Sequence, residues 1–381
     1  MPKLLIVTTV ASTLRAFLLP YAEHFKRKGW TVDAMSNGVS GCVECQKAFG
    51  RCHEISFSRN PLSAKNFGRV NAQIREIVTE GEYDIVHVHT PVASFVTRLA
   101  LRKFKRVRTP GASRPAIVYT AHGFHFYPDG FFLKNALFAA LERLAGEWTD
   151  RTITINPEDY EAALILKIAT KERLSLLPGI GLDFQRYSPR AVNVADVKKL
   201  HGDLKLEQGD ELFLMAAEFI PRKRHKDALH ALAKVGRKDF HLAFAGSGPL
   251  EEPMKRLAVK LGVESRAHFL GERSDVPLLM LSSRATILPS IHEGLSRSVM
   301  ESICLGIPVL GADVRGIREL VTTPSRGALF PLGNSAALAA EMILAVEEPN
   351  GAKPTPDPLW NIDHLLAEHE KIYLPFISGK D

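Results

Sequence analysis

The feature that most constrains the fold is a repeated alternation of short apolar runs with longer segments of helical periodicity. The apolar runs are KLLIVTT, WTVDAM, YDIVHVH, AIVYTAH and RTITIN in the first half, and ELFLMAA, HLAFAG, AHFLG, ATILPS and IPVLGAD in the second. The helical segments between them lie at 13–28, 92–103, 132–146, 223–235, 250–261 and 295–304. Because parallel strands need crossover connections, this alternation predicts parallel sheets covered by helices.

Chain length and one polar interruption predict two domains. The 381 residues exceed one typical core and suit two domains of about 150–200 residues each. The segment PGIGLDFQRYSPRAVN is rich in proline, glycine and polar residues and marks the best boundary. We predict an α/β architecture with two doubly wound domains, 1–185 and 190–358, that face a cleft. A last helix over 359–375 is expected to pack back on the first domain.

Positive charge is concentrated in the first half of the chain. Residues 1–190 hold 26 Lys and Arg against 17 Asp and Glu, within a chain whose formal net charge is +7. The densest basic stretch, Arg98–Arg114, contains seven basic residues and no acidic one. Beside Leu and Phe it predicts an anionic membrane surface as partner, at about 1 kcal/mol per charge, with a solvated face as the alternative. No nucleic-acid motif accompanies it, so nucleic acid is not expected as a partner.

The N-terminal run KLLIVTTVAST has the apolar character of a short signal peptide. We interpret it as a buried first strand, because AFLLPYAEHFKRKG follows at helical period without a cleavage-like gap. No apolar run reaches the roughly 20 residues that a membrane span needs. The predicted location is therefore cytoplasmic and, given the basic stretch, peripheral on the inner face of the cell membrane.

Two groups of side chains permit a metal-site interpretation. Cys42, Cys45, Cys52 and His53 lie in CVECQKAFGRCH, but their spacing fits no strong zinc pattern and the segment also fits an amphipathic helix. Cys304 lies among apolar residues and is interpreted as a core residue. The second group consists of histidines near strand ends: His87, His89, His122 and His125. Structural roles are the alternative for both groups, and no metal is predicted.

Several nucleotide-binding and metal-binding motifs are absent. The first strand is followed by TTVASTLR rather than G-x-G-x-x-G, which argues against a dinucleotide site there. The turn FAGSGPLEE has Gly246 and Gly248, where a backbone can approach a ligand closely. The sequence has no phosphate-binding lysine loop and no Asp-x-Asp, so a metal-clamped diphosphate is less expected. We predict no cofactor.

Two glutamates with seven residues between them stand in HEGLSRSVMESICLGIPVLG. Glu293 follows the strand ATILPS, and Glu301 lies about two turns into a helix expected to start near Leu295 or Ser296. The first amides of a helix and its dipole form an anion site suited to phosphate. The two carboxylates are separated along the axis by at most about 12 Å. A nucleotide diphosphate-sugar fits this arrangement, with carboxylates accepting hydrogen bonds from hydroxyl groups; ordinary surface glutamates are the alternative.

The segment PSIHEGLSRSVMESICLGIPVLGADVRGIRELV resembles the E-x7-E signature of the retaining glycosyltransferases of family 4. AAEFIPRKRHKDAL, LAFAGSGPLEEPMKRLAVKLGV, FLGERSDVPLLM and GALFPLGN occur in the same order as in that family. DIVHVHTP, TAHGFHFY and FSRNPLS resemble its capsule and exopolysaccharide branch. The resemblance covers nearly the whole chain and implies the GT-B fold, in which two Rossmann-like domains face a cleft.

The resemblance also implies roles for residues around the two glutamates. Glu293 matches the residue that holds the transferred sugar on its reacting side, and Glu301 matches the ribose contact. Gly294 and Leu295 match residues whose backbone amides meet sugar or phosphate. Gly246 belongs to the strand-to-helix turn expected beside the donor.

Of the cations that contact the diphosphate in the family, only some have a matching residue in this chain. Lys223 matches the lysine that neutralises the departing diphosphate. The family often has Gly-Arg a few residues earlier, where this chain has Ala217 and Glu218. We expect Arg222 or Arg224 to replace the missing arginine, and Arg222 is preferred because it adjoins Lys223. Arg273 matches a position near the nucleotide base.

His122 matches the family histidine beside the donor sugar and joins Glu293 as a candidate catalytic residue. The expected reaction is metal-independent transfer of a hexosyl or N-acetylhexosaminyl group from a nucleotide sugar, foremost a UDP-sugar, with retention at the anomeric carbon. The expected acceptor is a saccharide on a lipid carrier, and the leaving phosphate takes the proton of the acceptor. A GT-B epimerase, a phosphorylase or a non-catalytic scaffold are the alternatives. Glu218 is the only hint of a scaffold, and no pyridoxal-lysine motif supports a phosphorylase.

Overall fold

The chain forms two compact units in the computed structural model, which describes residues 1–58, 63, 66, 68–104, 114–127, 130–347 and 352–377. The first unit is Met1–Gly181 together with the C-terminal segment that starts at Ile362. The second unit is Leu182–Asn361. The observed boundary, between Gly181 and Leu182, lies within the predicted segment PGIGLDFQRYSPRAVN and four residues before the predicted end of the first domain at 185.

The first unit is built on a seven-stranded parallel sheet in the order β3-β2-β1-β4-β5-β6-β7. The strands are β1 Lys3–Val10, β2 Thr31–Asn37, β3 Cys52–Glu54, β4 Ile85–His89, β5 Ala116–Ala121, β6 Arg151–Thr154 and β7 Leu174–Leu176. β4 lies in the centre and pairs with β5 from Ile85–Ala116 to His89–Thr120. All five residues of β4 are buried, as expected for a parallel strand covered on both faces.

The helices of the first unit include one that differs from the prediction. They are α1 Ala11–Thr13, α2 Leu19–Arg27, α3 Val43–Ala48, α4 Arg69–Gly81, α5 Pro91–Leu101, α6 Phe132–Gly146, α7 Pro157–Ile165 and α14 Ile362–Ile377. The single helix predicted at 13–28 is interrupted by a π-helical segment, Leu14–Leu18, directly before α2. Pro20 stands in the first turn of α2. Its missing N–H group removes one α-helical hydrogen bond, which explains the change of helical form.

The C-terminal helix α14 packs on the first unit. Tyr373 lies against Phe25 and Trp30, with ring centroids 5.2 and 6.0 Å away. On the exposed side, the Lys28 ammonium lies 2.8 Å from the Glu370 carboxylate. The aromatic contacts bury one face of a helix that is distant in sequence from its neighbours.

The second unit is built on a six-stranded parallel sheet in the order β10-β9-β8-β11-β12-β13. The strands are β8 Glu211–Ala216, β9 Phe240–Ala245, β10 Ala267–Phe269, β11 Ala285–Leu288, β12 Val309–Ala312 and β13 Gly327–Phe330. The helices are α8 Val194–Asp203, α9 His225–Val235, α10 Glu251–Lys260, α11 Val276–Leu281, α12 Arg297–Cys304 and α13 Ser335–Glu347. The α/β class and the doubly wound parallel sheets are confirmed. No helix in the described residues combines the length and apolar character that a bilayer span requires.

Candidate functional site

The turn that follows β8 carries two cations toward one carboxylate in the second unit. Pro221–Lys223 forms a 3-10 turn, and Arg224 adopts a left-handed conformation with φ of 53° before α9 begins. The Lys223 ammonium lies 2.6 Å from Glu293 Oε1, and an Arg222 guanidinium nitrogen lies 2.8 Å from Glu293 Oε2. Both predicted cations therefore meet the first predicted glutamate, across 70 residues of sequence.

Backbone hydrogen bonds hold this arrangement together. The Ile291 N–H donates to the Arg222 carbonyl over 2.9 Å, and the Arg222 side chain donates to the His292 carbonyl over 2.9 Å. The Glu293 N–H donates to the Arg315 carbonyl over 3.1 Å. A Cβ atom on Gly316 would lie 2.6 Å from the Glu293 carbonyl oxygen. The turn at 291–296 is therefore fixed from two sides before any ligand arrives.

Glu293 is ionised despite its burial. Its side chain is only 9% exposed, and burial by itself raises the pKa of a carboxyl group. Attraction to Lys223 and Arg222 outweighs that effect and lowers the pKa of Glu293 to about 2. The site thus combines two cations with one carboxylate and keeps one unit of positive charge.

Glu301 belongs to a separate group of partners. It accepts a hydrogen bond from Arg297 Nε over 2.8 Å, one turn earlier on α12. Burial, and then the charge of the hydrogen-bonded Glu301, raise the pKa of Tyr187 to about 12, so the phenol keeps its proton. Neither Tyr187 nor Arg297 was predicted as a site residue. The i,i+4 spacing of Arg297 and Glu301 was a usable signal, whereas nothing local points to Tyr187.

The helix that was expected to start at Leu295 or Ser296 starts at Arg297. Ser296 is the N-cap of α12, which runs over Arg297–Cys304. Gly294 and Leu295 lie in the turn between Glu293 and this cap, and both are half-buried. Their amides precede the helix rather than forming its first turn.

The remaining donor-side candidates lie apart from the Glu293 contacts. Gly246 has a φ of 147°, and a Cβ atom there would lie 2.2 Å from the Ala217 carbonyl oxygen. Close packing of the loops after β8 and β9 therefore explains this glycine by itself. Arg273 forms a bidentate pair with Asp275, with nitrogen–oxygen distances of 2.7 and 2.5 Å. Glu218 is exposed.

In the first unit the candidate histidines come together at the ends of β4 and β5. His89 Nδ1 lies 2.9 Å from His122 Nε2, and the His87 and His89 ring centroids are 4.0 Å apart. His369 of α14 joins them, 5.8 Å from His87. His125 instead packs edge-on against Phe138. The sequence did not reveal His369, which comes from the far end of the chain.

The cysteine cluster is divided by the structure. Cys42 and Cys45 have their sulfur atoms 2.7 Å apart, while His53 Nε2 lies 3.0 Å from the Tyr83 hydroxyl. Burial raises the pKa of Cys45 to about 12. In the described part of the chain, no group of three or more His, Cys, Asp or Glu side chains is arranged to hold a metal ion. Cys304 is buried in the core of the second unit, as predicted.

The predicted basic membrane patch is wrong for Arg98. Its guanidinium is fully buried, 2.8 Å from the Glu142 carboxylate and 4.0 Å from the centroid of the Tyr119 ring. At the other end of the stretch, Arg114 forms a two-bond pair with Asp150 at 3.0 Å. A buried or paired cation is not free to meet lipid. Residues 105–113 of the stretch lie outside the described residues.

Comparison with known proteins identifies the family. Residues 17–178 match the family described as Glycosyltransferase Family 4, and residues 196–355 match Glycosyl transferases group 1. The chain is 34% identical over 340 residues to the putative glycosyltransferase EpsD of Bacillus subtilis. This alignment covers 88% of the chain and 85% of EpsD. The chain belongs to glycosyltransferase family 4.

A second relative and several solved structures add to this comparison. The UDP-Gal:alpha-D-GlcNAc-diphosphoundecaprenol alpha-1,3-galactosyltransferase of Escherichia coli is 26% identical over 264 residues, 68% of this chain and 65% of that protein. Anabaena HepE in complex with UDP superposes with a TM-score of 0.73 at 20% identity, over 99% of this chain and 98% of HepE. The lipopolysaccharide glycosyltransferase WaaG superposes with a TM-score of 0.71 at 18% identity, over 99% of this chain and all of WaaG. The fold of this family 4 glycosyltransferase is thus GT-B.

Proposed function

We propose that this glycosyltransferase transfers a hexosyl or N-acetylhexosaminyl group from a UDP-sugar to a lipid-linked saccharide in the synthesis of a surface polysaccharide. The convergence of Lys223 and Arg222 on Glu293 carries the proposal. Two cations at one carboxylate leave positive charge for a diphosphate. When the diphosphate binds, it takes over these cations and releases Glu293 to accept hydrogen bonds from the transferred sugar.

The donor and acceptor classes rest on what the relatives bind. HepE has been crystallised with UDP, with UDP and glucose, and with UDP-glucose. The name of the Escherichia coli relative specifies a UDP-sugar donor and an acceptor on a diphosphoundecaprenol carrier. Gly294, Leu295, Gly246 and Arg273 are proposed donor contacts, and Glu301 is the proposed ribose contact.

The proposed chemistry is retention without a metal. Charge that develops on the leaving phosphate is stabilised by the ammonium of Lys223 and the guanidinium of Arg222, a role that a metal ion plays elsewhere. The leaving phosphate accepts the proton of the attacking hydroxyl on the same face of the sugar. His122 is proposed as a contact of the donor sugar. NMR of the first-formed product would show the retained anomeric configuration, and EDTA would leave the rate unchanged.

The decisive experiment measures UDP release from a panel of UDP-sugars with and without a lipid-linked saccharide acceptor. Glu293→Ala is expected to lower turnover by about 100-fold or more. Because it also removes the partner of Lys223 and Arg222, its melting temperature falls, so circular dichroism verifies that the variant is folded at the assay temperature. The exposed Glu264→Ala is the matched control and keeps the wild-type rate. Absence of acceptor-dependent UDP release across the panel would contradict the UDP-sugar assignment. Release of UDP with formation of a free epimer would favour the epimerase alternative.

For the proposed membrane contact, the structure favours a different surface from the predicted basic stretch. Helix α6 exposes an apolar stripe, with Leu133 66%, Leu137 45% and Leu144 45% exposed at spacings of four and seven residues, which place them on one helix face. Phe131 and Phe132 extend it and are 71% and 78% exposed. Lys134 and Arg143 on the same helix are also exposed. Apolar side chains flanked by cations suit an anionic bilayer surface, and we place the protein peripherally on the inner face of the cell membrane.

Liposome sedimentation tests this surface. Leu133→Ser with Leu137→Ser is expected to weaken binding to anionic vesicles by about tenfold or more, since each buried leucine contributes roughly 1.5–3 kcal/mol. Val194→Ser with Val259→Ser is the matched control, because both valines are exposed apolar residues of the second unit. Equal binding by both double variants would contradict the α6 surface. Loss on changing Lys103 and Arg102 alone would return the contact to the basic stretch.

A further inference from the structure

The histidine pair at the ends of β4 and β5 is joined by a hydrogen bond between its two rings. His89 is the last residue of β4 and is 2% exposed, whereas His122 follows β5 and is partly exposed. Their ring nitrogens, His89 Nδ1 and His122 Nε2, are 2.9 Å apart. One proton must lie between these two nitrogens, and the donor of that proton determines the tautomer of both rings.

Both rings are neutral at physiological pH. Burial, followed by the neighbouring histidines, lowers the pKa of His89 well below its usual value of 6.5. Burial and repulsion from His369 lower the pKa of His122 to about 4. Each ring therefore carries a single N–H group, so only two arrangements of the pair exist.

The other nitrogen of His89 distinguishes these arrangements. His89 Nε2 is buried, and no protein group in the described part of the chain is within hydrogen-bonding distance. The adjacent His87 is engaged at both nitrogens, by the Tyr373 hydroxyl at 2.5 Å and the Thr120 hydroxyl at 2.8 Å. Among the described residues, none is therefore placed to accept a proton from His89 Nε2.

If His122 donated to His89, the proton of His89 would lie on Nε2 as a buried N–H without an acceptor. If His89 donates from Nδ1, its Nε2 carries only a lone pair. Orphaned buried donors are rarer than incompletely satisfied acceptors, so a buried N–H group without an acceptor is less favourable than a bare lone pair. The second arrangement is therefore the stable one.

We infer that His89 is a positioning residue that fixes His122 as its Nδ1–H tautomer. His122 Nε2 accepts from His89, so the proton of His122 stands on the opposite nitrogen, Nδ1. The ring thereby serves as a neutral hydrogen-bond donor, which suits a sugar hydroxyl or phosphate oxygen and not proton abstraction. The catalytic use of this donor rests on the proposed function, whereas the tautomer itself does not.

The tautomer is measurable without any substrate. In protein labelled with 15N-histidine, two-bond 1H–15N correlation spectra distinguish protonated from bare ring nitrogens. The His122 signals are assigned by their loss in His122→Gln. We expect a protonated Nδ1 and a bare Nε2 for His122 at pH 7. A protonated His122 Nε2 in the wild-type protein would overturn the inference, whatever the activity.

Two substitutions of His89 test the positioning role. In His89→Asn the side-chain amide nitrogen stands where Nδ1 stood and still donates, whereas His89→Leu removes the donor. We expect His89→Leu to mix the His122 tautomers and lower kcat for sugar transfer at least tenfold. We expect His89→Asn to restore the single tautomer and keep kcat within about threefold of the wild type. Amide spectra verify that both variants are folded.

The outcomes also separate this inference from the proposed function. If His122 shows the expected tautomer but the enzyme releases no UDP from any donor, the UDP-sugar assignment is refuted. The inference about the tautomer then still holds. A fully active, folded His89→Leu variant, or an Asn variant as impaired as the Leu variant, would refute the positioning role.

Discussion

The two units place polar side chains after the ends of buried parallel strands, but they stabilise them in opposite ways. In the second unit, Glu293 remains charged because Lys223 and Arg222 contact it directly. In the first unit, His87, His89, His122 and His369 lie together, no carboxylate of the described residues forms an ion pair with them, and burial lowers the pKa of each. Buried groups are thus either paired or neutral. Under our proposal, the paired cations of the second unit bind the diphosphate, whereas the histidines of the first unit offer neutral hydrogen bonds.

The largest expected effect comes from removing a cation from the charged cluster. Lys223→Ala is expected to lower kcat by about 100- to 1,000-fold, since the leaving phosphate loses a fixed charge worth roughly 3–4 kcal/mol in the transition state. Glu293 keeps Arg222 as partner, so folding is preserved. Lys226→Ala on the exposed side of α9 is the control. Steady-state UDP release measures the rates of both variants. Equal rates would contradict a role of Lys223 in stabilising the leaving phosphate.

The neutral cluster is expected to make stability sensitive to acid. Burial lowers the pKa of His369 from 6.5 to about 4, so the unfolded chain binds the proton first as pH falls. The stabilisation that the folded state gains from holding His369 neutral is complete above pH 6.5. It is lost as pH falls from 6.5 through 4. At pH 5 this loss is roughly 2 kcal/mol for His369 alone. Glu293, whose pKa falls from 4.5 to about 2 on folding, loses its contribution mainly below pH 4.5, where the unfolded carboxylate is protonated first.

Chemical denaturation at pH 7 and pH 5 measures this contribution. His369→Phe is expected to shrink the pH-dependent fall in the free energy of unfolding by about 2 kcal/mol, because a phenyl ring cannot be protonated. His364→Phe, on the same helix, is the matched control and should leave the fall unchanged. An identical fall in all three proteins would show that His369 does not contribute to acid sensitivity.

A smaller effect on stability is expected where α14 contacts His87 of the histidine cluster. Tyr373→Phe removes the hydroxyl that lies 2.5 Å from His87 Nδ1 and leaves that buried nitrogen without a partner. The free energy of unfolding should fall by about 1–2 kcal/mol, and amide exchange in α14 should accelerate. Tyr160→Phe, a partly exposed tyrosine of the same unit, is the control. Unchanged exchange in α14 would mean that the hydroxyl does not secure the helix.

The smallest expected effect on stability concerns Arg273. Its pair with Asp275 is about one-third exposed on each side chain, and such surface pairs contribute roughly 0–1 kcal/mol. Arg273→Ala should therefore leave the melting temperature nearly unchanged. If Arg273 contacts the nucleotide as proposed, KM for the donor rises while kcat changes little. An unchanged KM would remove Arg273 from the donor site.

Most predicted elements were found, whereas helices α4 and α13 were not predicted. The two omitted strands have a common cause. β4 and α6 were predicted within a residue or two, because their apolar patterns are long or uninterrupted. β7 Leu174–Leu176 and β13 Gly327–Phe330 were not predicted as strands. Each has at most four residues and lies at a sheet edge. A strand that short carries too few residues for a periodic signal, and its pairing depends on a neighbour elsewhere in the chain.

Predictions of contact were less complete than predictions of position. Lys223, Arg222 and Glu293 were proposed individually, and the structure brings a charged nitrogen of each cation within 2.8 Å of the Glu293 carboxylate. Arg98 looked like a surface cation, because seven basic residues in one stretch suggest a patch. Its partner Glu142 lies 44 residues away, too far for any local pattern to reveal the burial of this charge.

The sequence by itself determined the two α/β units and the glutamate turn before α12, because alternation of apolar runs and helix-start chemistry are properties of neighbouring residues. Only the tertiary structure decided which cations meet Glu293, that Arg98 is buried, and that Tyr373 and His369 reach the end of β4. Those contacts join residues separated by tens to hundreds of positions. The order of strands in the sheets and the packing of α14 bring them together, and neither is encoded in any local pattern.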